Sequence, residues 1–107
     1  KDVATFIHGD SKKLADYLNE QNIKIDLFYI DGSHEKNAVL QDVANLKSVQ
    51  SEEFAPIWIF DDYDSRFGCY EDISLILNAS HSYYVYSPGQ TASGNPTHQA
   101  IIRGRFK

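Results

Sequence analysis

Three short stretches of the sequence place acids where chemistry could use them: His8-Gly9-Asp10-Ser11, Asp31-Gly32-Ser33-His34 and Asp61-Asp62-Tyr63. Each follows an apolar run, namely Val3 to Ile7, Ile25 to Ile30 and Ile57 to Phe60. In open parallel sheets, ligands collect outside the carboxyl ends of the strands, where loops diverge and helix amino termini point inward. If the three runs are parallel strands, the three acidic junctions share one rim. Carboxylates drawn together repel one another and lose hydration, and a divalent cation relieves both effects. Hard oxygen ligands of this kind suit magnesium, calcium or manganese, which would also bind a substrate hydroxyl and ease its deprotonation. One cysteine and scattered histidines argue against zinc.

Each residue also has a plainer reading. Asp31 can end a strand and cap the next helix, since Asp, Gly and Ser are ordinary turn residues. Two adjacent acids at the mouth of a buried strand gain nothing from packing, so Asp61-Asp62 is harder to explain without function. His34 is either a general base or a first-turn residue. His8 and His98 are expected at strand ends and His81 on the surface. Asp10 and Ser11 can contact a nucleotide base edge or cap a helix. Cys69 has no apparent activating partner and is expected to be structural. Seven tyrosines and six phenylalanines read as core and sheet packing, because they do not interleave with Lys or Arg.

The elements that must position these residues are legible as hydrophobic patterns. Val3 to Ile7 is predicted as a strand, and a helix capped by Asp10 or Ser11 should follow, with Leu14, Tyr17 and Leu18 on one side. The nearly continuous apolar run Ile25 to Ile30 predicts a strand covered on both faces. From Glu35 to about Gln50, the positions Val39, Leu40, Val43, Leu46 and Val49 recur at helical spacing. Ile57 to Phe60 predicts another buried strand, and Tyr70, Ile73, Ile76 and Leu77 another amphipathic helix. Tyr83 to Tyr86 and Gln99 to Ile102 are predicted as strands, antiparallel to each other, around a loop from Pro88 to Pro96 rich in Gly, Ser and Thr. Strand and helix alternate three times before two final strands, which argues for one α/β layer domain over residues 1–107 with right-handed crossovers.

Composition narrows the classes. Fifteen acids against ten Lys and Arg give a formal net charge of -5, with no basic run, so capture of a nucleic-acid backbone is not expected. No segment approaches the roughly 20 apolar residues that span a bilayer. The single cysteine suits a reducing compartment, and a cytoplasmic location is the expectation. A chain that starts at Lys1 and holds no methionine is expected to be part of a longer product.

Taken together, "FIHGDS", "IDLFYIDGSHEKNAVLQDV" and "IWIFDDY" resemble the second half of class I S-adenosylmethionine-dependent methyltransferases. The resemblance covers residues 3 to 103 and is closest to small-molecule O-methyltransferases, similar in layout to catechol-type enzymes that need magnesium. It implies a Rossmann-like three-layer sandwich with a mostly parallel sheet and a terminal antiparallel strand, lacking the first two strands of the full fold. Carried over by position, it places Gly9, Asp10 and Ser11 near the adenine, and Asp31 and His34 near the methionine part of the cofactor and the reacting centre. It places Asp31, Asp61 and Asp62 around a metal. The glycine-rich loop and the ribose-binding acid of that family have no counterpart in the sequence, and Ala55-Pro56-Ile57 stands where relatives show paired glycines.

The implied activity is methyl transfer from S-adenosylmethionine to a small-molecule hydroxyl, with Mg2+ or His34 helping to form the alkoxide and His34 and Asp31 as catalytic residues. The alternative of another class is a truncated or degenerate domain that catalyses nothing and self-associates through an unpaired strand edge. A metal-dependent hydrolase using the same acids is disfavoured by the lack of a nucleophile or phosphate loop.

Overall fold

The strand Ile57–Phe60 lies inside the sheet, and the rest of the chain is arranged around it. A computed structural model describes residues 4–80, 82–90 and 92–107. In chain order the elements are α1 (Ser11–Glu20), β1 (Leu27–Ile30), α2 (Ala38–Leu46), a 3-10 turn (Lys47–Val49), β2 (Ile57–Phe60), α3 (Tyr70–Asn78), β3 (Tyr83–Gln90) and β4 (Pro96–Arg103). They form a four-stranded sheet in the order β1-β2-β4-β3. β1 pairs with β2 in parallel, while β4 runs antiparallel to both β2 and β3.

The pairing register separates the two faces of the sheet. Phe28, Ile30, Trp58, Phe60, Ala100 and Ile102 share one face and are all buried. Phe28 stacks on Trp58 with ring centroids 3.8 Å apart, and Phe106 meets Trp58 edge-on at 5.0 Å. Against this face lie the helices: α1 packs on α2 and the 3-10 turn, α2 on α3, and α3 on β4. Their apolar stripes are Ala15 and Leu18, then Val39, Val43 and Leu46, then Ile73, Ile76 and Leu77. Gln50 is buried beside Trp58 and keeps its amide fully used. Its Oε1 accepts from Trp58 Nε1 at 3.2 Å and from the Phe106 amide at 2.8 Å, while Nε2 donates to the carbonyls of Lys47 and Phe106.

Several expectations are corrected. Residues 4–7 form no strand, and Val3 lies outside the described residues. An extended run becomes a strand only through ladder pairing, and none of the four strands of the sheet pairs with residues 4–7. The strand directions match the expectation: β1, β2 and β3 run one way, and the chain's last strand, β4, enters between β2 and β3 antiparallel to both, which makes the sheet mixed. The sheet is not three-layered among the described residues. Leu27 and Tyr29, on the second face, are 54% and 50% exposed, and Tyr84 and Tyr86 are exposed there too. The run Ile25 to Ile30 is therefore covered on one face only.

The second helix begins at Ala38, not Glu35, because Asn37 holds a left-handed backbone (φ 71°) that cannot belong to the helix. β3 and β4 extend further than expected, to Gln90 and from Pro96, shortening the loop between them. Among the described residues no helix is long and apolar enough to cross a membrane.

Candidate functional site

Pairing geometry gathers the acids. Ile30 lies opposite Phe60 in the parallel ladder, so the residues that follow them, Asp31 and Asp61, leave the sheet side by side. The Asp61 amide still donates to the Ile30 carbonyl at 3.0 Å, which fixes that adjacency. Asp62 then turns the chain with a left-handed backbone (φ 56°). Most non-glycine residues avoid that region, and Asp tolerates it better than most. One carboxylate oxygen from each of Asp31, Asp61 and Asp62 lies within 4.8 Å of the others.

The cluster carries the electrostatic mark of crowding. The Asp31 carboxyl is raised above the usual range, first by desolvation and then by the negative charges of Asp61 and Asp62. The Tyr29 phenol is raised as well, by desolvation and then by Asp61 and Asp31. Gln99, arriving from β4, donates its side-chain amide to the Tyr29 hydroxyl at 2.8 Å and to Asp61 Oδ1 at 3.3 Å.

His34 joins this group. Its Nε2 is 2.7 Å from Asp62 Oδ2, and its ring lies 4.4 Å from that of Phe67. The close approach needs a glycine next to Phe67, because a Cβ at Gly68 would collide with the His34 carbonyl oxygen. Cys69 follows, buried, with its thiol donating to the Asp62 carbonyl at 3.6 Å. Burial raises that thiol above its ordinary range, in keeping with a structural role.

Beside the acids, on the α1 side, lies a cavity of about 390 Å³. Gly9, Asp10 and Ser11 line it from one wall, and Asp31, Gly32 and Ser33 from the other. The structure thus brings all of the expected cofactor-contacting residues except His34 to one cavity, although the segment before Gly9 is no strand. Two of these side chains are already engaged. Asp10 caps α1 by accepting the Lys13 amide at 2.9 Å, and Ser11 donates its hydroxyl to Asp42 at 2.6 Å. None of the residues lining the cavity is basic, while Asp10, Asp31 and Asp42 all border it. Its field favours a ligand that carries positive charge.

Elsewhere, His8 and His98 do not sit at the strand ends expected for them. His8 is exposed in an irregular segment, and His81 lies outside the described residues. His98 sits within β4, with Nδ1 3.8 Å from Asp64 Oδ2. Asp64 is held below the usual carboxylate range chiefly by hydrogen bonds from Arg66, whose Nε lies 2.8 Å away. Sequence reading missed Asp42, Asp64 and Gln99 as neighbours of the site. The spacing Asp64-Ser65-Arg66 suggests a local turn, but nothing local to Gln99 indicates that β4 will pass beside β2.

A family model described as Methyltransferase domain matches residues 1–63. The matched span contains all three acidic junctions and ends directly after Asp62. No curated protein and no solved structure matches the chain.

Proposed function

Because the chain belongs to the methyltransferase-domain family, matched over more than half its length, we propose that the acidic rim serves a methyl transfer from S-adenosylmethionine to a small-molecule hydroxyl. The observation that carries this reading is the convergence of Asp31, Asp61, Asp62 and His34, from two separate strand ends, beside a cavity bordered by carboxylates. A sulfonium with an α-ammonium group is a ligand of the charge such a cavity favours. When bound, the cofactor supplies an electrophilic methyl group. The chain's own residues must then position the acceptor oxygen and take its proton.

His34 is suited to the second task. An ionised Asp62 can only accept, so the Nε2 facing it carries the proton and Nδ1 is left as the basic nitrogen. Phe67 against the ring and Gly68 beneath the His34 carbonyl restrict how far the base can drift. Positioning of this kind supplies much of the acceleration in an in-line displacement.

Asp31, Asp61 and Asp62 fit a hard divalent cation such as Mg2+ by donor chemistry and by mutual distance. The ion would neutralise the crowded charge and lower the pKa of an acceptor hydroxyl. The reading is tested by calorimetric titration of the chain with S-adenosylmethionine, with and without Mg2+. Saturable binding, tighter with the ion, supports it; no heat at millimolar cofactor rejects it. A second reading, a non-catalytic module that self-associates, draws on the exposed apolar second face of the sheet at Leu27, Tyr29 and Tyr84. The same titration separates the two.

A further inference from the structure

α1 and α2 are joined by a short polar chain that neither the acid cluster nor the core accounts for. Ser11 donates to Asp42 Oδ1 at 2.6 Å, and Asn45 Nδ2 donates to Ser11 Oγ at 2.9 Å. Gln41 Nε2 in turn donates to Asn45 Oδ1 at 3.1 Å. Ser11, Asp42 and Asn45 are all half-buried. A hydroxyl that donates to a carboxylate while accepting from an amide is fixed in orientation, and each bond of the chain strengthens the next.

The two residues that meet here lie just behind the two turns that line the cavity. Ser11 ends the Gly9–Ser11 turn, and Asp42 stands under the Asp31–Ser33 turn, with Oδ2 3.4 Å from where a Cβ on Gly32 would sit. A larger residue at position 32 would press on that oxygen. Among the described residues Oδ2 accepts no hydrogen bond, although Asp42 borders the cavity. One carboxylate oxygen thus ties the walls together, and the other is left as an acceptor beside the cavity.

We propose that Asp42 is a positioning and specificity residue of the cavity: through Ser11 it clamps the two lining turns at a fixed spacing, and with Oδ2 it accepts a hydrogen bond from an amine or hydroxyl of the ligand. This rests on the reading of the cavity as a cofactor site. It assigns work to a residue one turn inside α2, away from the strand ends, where the capping pattern of α2 gives it none. Ser11 acts through Asp42 and does not need to touch the ligand.

The test uses the full chain and two variants, Asp42→Asn and Ser11→Ala, with S-adenosylmethionine as the calorimetric probe. Asp42→Asn keeps the shape and removes the charge, so affinity falls about tenfold while the melting temperature stays close to that of the parent. Ser11→Ala weakens binding less. Amide exchange without ligand supplies a readout that overall stability does not move. In Ser11→Ala the amides of residues 9–11 and 31–33 exchange faster, while those of β2 are unchanged. A parent chain that binds and an Asp42→Asn variant that binds equally well, with unaltered exchange, overturns the proposal and leaves the cofactor reading standing. A parent chain that does not bind overturns the cofactor reading and the ligand contact with it.

Discussion

Asp31 carries a burden that the fold alone does not explain, since desolvation and the charges of Asp61 and Asp62 both oppose its ionisation. A carboxyl raised in the folded state binds its proton more tightly there than in the unfolded chain. Stability therefore falls as pH rises through the interval above the ordinary carboxylate value, and ionised Asp31 works against folding at neutral pH. We expect Asp31→Asn to raise the melting temperature at pH 7 in cation-free buffer and to lose that advantage near pH 3, below both values. Thermal melts across that range check it, and a variant less stable than the parent at pH 7 would contradict it. Proteins commonly accept such local instability where function needs it. At this scale the sequence is informative about residue types but not about partners. The acids announce themselves because they stop apolar runs. The partnership of His34 with Asp62, 28 residues apart, depends on a left-handed turn at position 62 that no local preference reveals.

Gln50 shows how elements are joined. It follows the 3-10 turn after α2, and its side chain reaches the ring nitrogen of β2's Trp58 and both backbone groups of Phe106 beyond β4. Replacing it with Leu keeps the volume but leaves several buried polar groups without partners, each worth about 1–3 kcal/mol. Gln50→Leu is expected to destabilise the chain by about 3 kcal/mol or more in urea unfolding, and a loss below about 1 kcal/mol would contradict this role. The helices were legible because Leu14 and Leu18, Val39 and Val43, and Ile73 and Leu77 repeat at helical spacing. β2 was legible because "IWIF" runs straight into acids. The failure at residues 4–7 has a physical cause: an apolar run becomes a strand only where a neighbour supplies a ladder, and pairing is set by tertiary context. The same limit hid the path of β4, whose insertion between β2 and β3 delivers Gln99 to the site.

Across the whole molecule, helices cover one face of the sheet, and the other presents Leu27, Tyr29, Tyr84 and Tyr86. Exposed apolar area of this kind on a sheet marks an interaction surface or an association hazard. The chain's net charge of -5 opposes self-association only weakly at physiological salt. Sedimentation is expected to show concentration-dependent association that Leu27→Lys reduces while leaving the melting temperature within a few degrees. An unaffected association would place the contact elsewhere, at the outer edge of β3 for example. The acids lie at one end of this sheet, at the carboxyl ends of β1 and β2, and the account depends on their acting there as a group. Mn2+ added to a labelled sample reads this most directly, because a paramagnetic ion broadens the amide resonances nearest to it. Substoichiometric Mn2+ is expected to erase residues 31, 34, 61 and 62 first, with the effect lost in Asp61→Asn. Broadening spread evenly over surface acids such as Asp16, Glu20 and Glu71, unchanged by that substitution, would contradict it.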